Sequence, residues 1–164
     1  MDILWSELTG GLPDGTHLTI LLLRLVTATI LGAAIGLERQ RAGKAAGLRT
    51  HILVTTGTTV FILACLGAGI KSNSDGISRV VQGIITGIGF VGAGAILKRE
   101  TDRNIQGVTT SAGIWMTAAI GVTVGLGGLG LAVIATILTL VILRVTIWFE
   151  RQGSRAGRNS DREK

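Results

Sequence analysis

The chain has 164 residues and a formal net charge of +6, and it contains 47% hydrophobic but only 16% charged residues. Ordinary soluble domains carry about 25% charged residues, so this composition argues against a soluble protein. The positive residues are spread over separate segments, which argues against nucleic-acid binding. A single cysteine, Cys65, excludes an intrachain disulfide.

Five apolar runs, each close to the ~20 residues that cross a hydrocarbon core, predict five transmembrane helices. In chain order they cover residues 18–37, 50–70, 77–97, 107–126 and 129–148. The backbone finds no water in a bilayer, so an all-α bundle is predicted for the transmembrane domain, residues 1–149. The polar, basic segment 150–164 is expected to form a disordered cytoplasmic tail.

Lysine and arginine are distributed asymmetrically around these runs. The segment before the first run has none, whereas the loops after the first and third runs and the tail hold most of them. Positive residues stay on the cytoplasmic side, so the N-terminus is predicted outside and the C-terminus in the cytoplasm. The first run does not resemble a cleaved signal peptide, because acidic residues precede it and basic residues follow it.

Arg24 is the first unusual residue along the chain. It lies six residues into the first run, ~9 Å from its start at 1.5 Å per residue. An arginine at mid-bilayer costs roughly 2.5–3.5 kcal/mol. The side chain either extends outward to the headgroups or faces the bundle and meets a polar partner. Gln82 and Thr86 are the candidate partners, because the predicted helices contain no deeply placed carboxylate.

The third predicted helix contains TGIGFVGAG, residues 86–94, which matches the G-x-G-x-x-G spacing of dinucleotide-binding loops. That motif requires a preceding strand and an acidic residue about 20 positions later, and both are missing. We interpret the glycines as helix-packing residues, since small residues four apart let helix backbones approach closely. The predicted packing set, over three helices, is Gly32, Gly36, Gly83, Gly87, Gly94, Gly121 and Gly125.

Segments 32–51 and 92–111 align without gaps at an offset of 60 residues and share six identities. They predict a parallel repeat of two helices, related by an axis along the membrane normal.

Polar residues recur on the second, third and fourth predicted helices. They indicate either a polar pathway or ordinary interhelical hydrogen bonding, worth about 0.6 kcal/mol per contact. The residues are Thr55, Thr56, Thr58, Thr59, Arg79, Gln82, Thr86, Thr109, Thr110, Ser111 and Thr117.

The second and fourth helices are predicted to begin at the cytoplasmic face, where helix N-termini favour anions. Basic residues surround these positions: Arg39, Arg41, Lys44, Arg49, Lys98 and Arg103. The pattern indicates a site for phosphate, an anionic lipid headgroup or an acidic partner, or only positive-inside topology with local ion pairs. The ion-pair partner of Glu38 is open among Arg24, Arg49 and Arg103.

Magnesium paths favour carboxylate oxygens, and proton relays favour Asp, Glu or His chains. The predicted helices offer only His51, at the cytoplasmic boundary. Cation transport by this chain alone is therefore disfavoured. No nucleophile–base pair or metal-ligand cluster appears, so no catalytic residue, metal site or cofactor is predicted and the chain is not expected to be an enzyme.

Three segments stand in a fixed order: GLERQRAGKAAGLRTHILV (36–54), VVQGIITGIGFVGAGAIL (80–97) and NIQGVTTSAGIWMTAAIG (104–121). Together they resemble the signatures of the MgtC/SapB family of bacterial inner-membrane proteins. Gln40 departs from the family pattern, which has an acidic residue there. The resemblance implies that the residues at the matching motif positions are functionally important. They are Glu38, Arg39, Gly47, Leu48, Arg49, Thr50, Asn104, Gly107, Thr109, Thr110 and Trp115.

The resemblance implies a multi-pass inner-membrane protein tied to magnesium homeostasis, acid stress and, in pathogens, virulence. It implies a modulator of other membrane machinery, with ATP synthase a proposed partner. Members linked to virulence carry a soluble C-terminal domain, and none is expected here. We therefore expect a non-enzymatic modulator that forms a homo-oligomer. The alternative is a transporter or channel for magnesium, protons or an anion, which would use Arg24 and the polar residues between helices.

Overall fold

The computed structural model describes residues 15–67, 75–98 and 105–160. Within these ranges it contains five helices: α1 Gly15–Arg41, α2 Leu48–Gly67, α3 Asp75–Gly94, α4 Val108–Gly125 and α5 Leu129–Ser160. Helices α1 to α4 are each long and apolar enough to cross a membrane, and the apolar part of α5 is Leu129–Val145. The prediction of an all-α bundle of five helices is confirmed, while its orientation in the membrane stays a prediction.

At two places the helix ends in the structure differ from those predicted from the sequence. Helix α3 ends at Gly94, and the chain continues into two short strands, β1 Leu97–Lys98 and β2 Ile105–Gln106, which pair antiparallel. Helix α5 extends to Ser160, beyond the predicted end of its apolar run at residue 148. The expected disorder of the tail stays a prediction.

Helix α4 lies at the centre of the bundle and contacts the other four helices, while α3 packs against α4 and α2. The main core joins α1, α4 and α5, and its fully buried members are Ala28, Ile35, Val124 and Ala132. Large apolar side chains elsewhere on α1 and α5, such as Leu23, Ile30 and Leu138, are exposed. An exposed apolar surface of this kind is suited to contact with the bilayer.

Glycines set how closely the inner helices approach. A Cβ at Gly32 or Gly36 would overlap α2, at Thr55 and Leu48 respectively. A Cβ at Gly121 would also overlap Thr55. Gly125 follows one turn later, where a Cβ would lie 2.7 Å from the Cβ of Ile62. The structure therefore places these four predicted packing glycines where α1 and α4 meet α2.

The predicted packing role of Gly83, Gly87 and Gly94 requires a correction within the single chain. Open space lies over all three, with no heavy atom within 4 Å of a Cβ built there. The reason is the rotation of α3, which buries Ile77 and leaves these three glycines exposed. Gly92 is the α3 glycine that contacts another helix, at Ser111 of α4.

The two repeat segments make equivalent contacts. Gly32 abuts His51 of the following helix, and Gly92, sixty residues later, abuts Ser111. The amides of His51 and Ser111 in turn donate to the carbonyl oxygens of Gly47 and Gly107, at 3.2 and 2.8 Å. These paired contacts are the pattern that a two-helix repeat predicts.

Candidate functional site

A line of buried polar side chains joins α2 to α4, and we call it the α2–α4 seam. Its members on α2 follow helical spacing and face the small residues of α4. Thr59 Oγ1 donates to the carbonyl oxygen of Gly121 at 2.8 Å, across the interface. The seam consists of His51, Thr55, Thr58, Thr59 and Thr117, all of them buried.

His51 lies at one end of the seam and is completely buried. Its Nδ1 lies 2.7 Å from Thr117 Oγ1, and that hydroxyl donates its own proton to the carbonyl oxygen of Gly113 at 2.8 Å. With the hydroxyl proton directed to Gly113, Thr117 accepts from the ring, and this arrangement corresponds to the tautomer protonated at Nδ1. The other ring nitrogen, Nε2, is buried and has no hydrogen-bond partner among the described residues.

Arg24 lies near the opposite end of the seam and faces the bundle. Its Nη1 donates to the carbonyl oxygen of Gly125 at 2.7 Å, at the C-terminus of α4. A cation is favoured there, because the last carbonyl groups of a helix lack intrahelical donors. The adjacent turn depends on Gly127, which has φ +91° and would place a Cβ 2.7 Å from Arg24 Nη2.

The predicted partners of Arg24 are therefore wrong. Gln82 and Thr86 are exposed on α3, and the Thr86 hydroxyl donates to the Gln82 carbonyl oxygen at 2.9 Å. The rotation that carries the α3 glycines outward also carries these two side chains away from α1. A backbone carbonyl group replaces them, a type of partner that side-chain patterns do not reveal.

Glu38 and Arg39 form an ion pair at the C-terminal end of α1. Arg39 donates from Nε at 2.5 Å and from Nη2 at 2.9 Å to the two carboxylate oxygens. Arg39 is only 1% exposed, because it continues the buried face of α1 that includes Ile35 and Gly36. The sequence left the partner of Glu38 open among three arginines, and the structure pairs Glu38 with its immediate neighbour instead.

Two glycines carried over from the family pattern shape the neighbouring loops. Gly107 precedes α4 with φ +96°, and a Cβ there would overlap the Ala95 carbonyl oxygen. A Cβ at Gly47 would lie 3.4 Å from Gln40 Cβ, and Gln40 Oε1 accepts from the Leu48 amide at 3.4 Å. Gln40, noted as a departure from the family pattern, thus partly caps the start of α2.

The remaining family positions do not converge on one site. Arg49 and Thr109 are exposed, Thr50 is half-buried and Thr110 is buried. Trp115 is about half exposed and lines a groove between α3 and α4. Asn104 lies outside the described residues. In the part of the chain that the structure describes, no group of three or more His, Cys, Asp or Glu residues could hold a metal ion.

Sequence reasoning only partly anticipated the hydrogen bonds of the α2–α4 seam and of Arg24. His51 and Thr117 are named separately in the sequence analysis, and the contact between them was not predicted. The signal was present in the spacing, because His51, Thr55 and Thr59 are four residues apart and so share one helix face. The matching spacing of Gly113, Thr117, Gly121 and Gly125 on α4 completes the pattern.

Comparison with known proteins identifies a matching protein family and several relatives. The family model described as the MgtC family matches residues 25–152. The chain is 43% identical over 129 residues to the Escherichia coli K12 protein named "Putative magnesium transporter YhiD", covering 76% of this chain and 59% of that protein. No solved structure matches.

Two further relatives support the same assignment. Protein SrpB of Synechococcus elongatus is 43% identical over 141 residues, covering 80% of this chain and 77% of that protein. Protein MgtC of Salmonella typhimurium LT2 is 44% identical over 119 residues, covering 73% and 49%. The chain spans between about half and three quarters of the length of these relatives.

Proposed function

The chain belongs to the MgtC family of membrane proteins, and from this premise we propose that it is a non-enzymatic modulator. It would act at the bacterial inner membrane on other membrane machinery or on ion homeostasis, when magnesium is scarce or the medium is acid. The magnesium element rests on the name of one relative, a putative magnesium transporter, and on the family resemblance. Proton-translocating ATP synthase is the partner that the family resemblance implies.

The observation that carries this proposal is the close packing of the α2–α4 seam. Its hydroxyl groups donate to carbonyl oxygens, and helix backbones touch at Gly121. Such contacts use the polar groups for helix association, which is the common role of small and hydroxyl-bearing residues in membrane bundles. A path for a hydrated cation would need these contacts to separate.

The charged groups support the same conclusion. Arg24 already donates to the end of α4, and Glu38 is already paired with Arg39. Magnesium retains several waters and prefers carboxylate ligands in octahedral geometry, whereas the seam offers neutral hydroxyl groups and one imidazole. The protein is therefore better suited to packing against other membrane components than to conducting magnesium itself.

The alternative function is ion transport, and one observation favours it besides the name of a relative. The Nε2 of His51 is buried without a hydrogen-bond partner among the described residues, at the end of a line of hydroxyl groups. Imidazoles take part in intramembrane proton relays. A proton path would begin at His51 and would need the threonine hydroxyl groups to rotate away from their present acceptors.

The deciding experiment is ion flux into liposomes that contain only this purified protein, measured for magnesium, protons and phosphate. We expect no flux above protein-free liposomes when the protein is shown by circular dichroism to be folded. In the host bacterium, deletion of the gene should impair growth at low magnesium or acid pH. Flux through the purified protein that His51→Asn or Arg24→Ala abolishes would replace the modulator by a transporter.

A further inference from the structure

The buried and exposed faces of α3 are reversed relative to those of a helix that faces lipid. Its aliphatic residues Ile77, Val81, Ile84 and Ile88 turn toward α2 and α4 and are buried or half-buried. Its opposite face, at 100° per residue, is exposed and consists of small, polar and aromatic residues. We call this the α3 outer face: Arg79, Gln82, Gly83, Thr86, Gly87, Phe90, Ala93 and Gly94.

Hydrocarbon is a poor environment for this face. Gln82 lies seven residues from the start of α3, ~10 Å along the helix axis. An amide that faces hydrocarbon without a hydrogen-bond partner costs several kcal/mol on water-to-cyclohexane scales. Elsewhere on the same face, Gly83 and Gly87 leave open space over the backbone. A protein surface would satisfy the amide and fill this space better than acyl chains would.

We propose that the α3 outer face is the interface of a homodimer, in which α3 of one copy packs against α3 of another about an axis along the membrane normal. This assembly would be compatible with either a modulator or a transporter, so it stands apart from the proposed function.

The first argument for a second copy is shape. Phe90 is 84% exposed and projects from the same face that carries the glycine hollow. Next to the glycines, an apolar groove of about 400 Å³ between α2 and α3 is lined by Phe61, Gly83 and Gly87. A two-fold interface requires a projection and a matching recess on the same side of the molecule. Phe90 is the projection, and the recess is the groove at the edge of the outer face, where Gly83 and Gly87 meet α2.

The second argument is polarity and charge. Gln82 carries both donors and an acceptor, so two copies of the amide can satisfy each other across a two-fold axis. The outer face has no acidic residue, and its one charge, Arg79, lies in the first two turns of α3. An arginine there can extend toward the headgroups. The face is thus suited to an identical neutral face, and small residues four apart allow two such helices to cross closely.

Cysteine cross-linking in lipid vesicles tests the arrangement, in a background where Cys65→Ala removes the native cysteine. Thr86→Cys places a thiol at the centre of the outer face. Ile85→Cys, one residue earlier, places it on an exposed flank of the same helix. We expect oxidation to produce about tenfold more cross-linked dimer from Thr86→Cys. Equal cross-linking at the two positions would overturn the proposed interface.

Glycine substitution supplies the second measurement. Gly87→Leu should weaken dimerisation by about tenfold or more, a loss of about 1.4 kcal/mol, measured by subunit counting over a range of protein-to-lipid ratios. Gly57→Leu is the matched control, because Gly57 of α2 also has nothing within 4 Å of a Cβ. A protein that is monomeric at every ratio, or a folded Gly87→Leu variant that dimerises like the wild type, would also overturn the proposal.

Discussion

His51 Nδ1 and Thr117 Oγ1 lie 2.7 Å apart in the interior of the bundle, where neither side chain is exposed. The contact joins two helices that belong to different halves of the repeat. It also fixes the orientation of the imidazole, since Thr117 donates its own proton to Gly113 and can only accept from the ring. Within this network, Thr117 Oγ1 is the hydrogen-bond partner of the ring.

Thr117→Val removes that hydroxyl group while preserving the shape of the side chain. The His51 N–H then loses its acceptor, and an unsatisfied buried donor costs about 1–3 kcal/mol. We expect the free energy of unfolding, measured by SDS titration in mixed micelles, to fall by that amount.

Thr29→Val is the matched control for this measurement. Thr29 makes the same type of bond to the carbonyl group four residues earlier, but it is exposed and its hydroxyl group bonds within its own helix. Its replacement should change the free energy of unfolding by about 0.5 kcal/mol or less. Equal losses in the two variants would show that the His51 contact contributes nothing.

Arg24→Ala should destabilise the protein by about 1.5–3 kcal/mol, the range for hydrogen bonds to charged groups. The reason is the loss of the donor to Gly125 at the end of α4. Arg24→Lys keeps the positive charge near the helix C-terminus and should recover part of the loss. Thermal unfolding in detergent measures both variants.

Arg144→Ala is the control for the Arg24 variants, because Arg144 is an exposed arginine within the apolar part of α5. It should leave the unfolding temperature nearly unchanged. If Arg24→Ala behaves like Arg144→Ala, the contact with Gly125 has no energetic role and Arg24 is free for another function.

The sequence predicts the number and extent of the helices better than the rotation of each helix about its own axis. The lengths of the apolar runs define five helices, and the spacing of Gly32, Gly36, Gly121 and Gly125 indicates their close approach. The predicted rotation of α3 is wrong because it takes the glycine spacing to mark the packing face, although Ile77, Val81, Ile84 and Ile88 share one face of the helix and form the inner side. Which face turns inward depends on contacts with α2 and α4, and these are tertiary.

The partners of charged groups also depend on tertiary contacts that the sequence does not reveal. Arg24 bonds to a backbone carbonyl group, which is present at every residue and therefore leaves no pattern in the sequence. Glu38 pairs with Arg39, an adjacent residue, because the end of α1 buries Arg39 beside Gly36. Side-chain spacing predicts which residues share a face, but it does not identify the acceptor that a long side chain reaches.

Glu38→Ala should leave Arg39 buried without a counter-charge. Breaking a buried ion pair from one side costs about 3–5 kcal/mol, so we expect a large fall in the amount of folded protein and in its unfolding temperature. The double variant Glu38→Ala, Arg39→Leu removes the stranded charge and should be more stable than Glu38→Ala alone.

The exposed Arg41 provides the control for the ion pair, and Arg41→Ala should be nearly neutral. A double variant no more stable than Glu38→Ala would show that the loss comes from the Glu38 side chain itself and not from the unpaired arginine.

Gly107→Ala and Gly43→Ala separate backbone strain from steric overlap. Both glycines have positive φ, +96° and +66°, which costs a non-glycine residue about 1–3 kcal/mol. Only Gly107 is also crowded, since its Cβ would overlap the Ala95 carbonyl oxygen, whereas nothing lies within 4 Å at Gly43. A backbone atom cannot move aside as a flexible side chain can. We therefore expect Gly43→Ala to accumulate in membranes with a modestly lowered unfolding temperature, and Gly107→Ala to accumulate poorly. Similar accumulation of the two variants would mean that the turn before α4 rearranges at little cost.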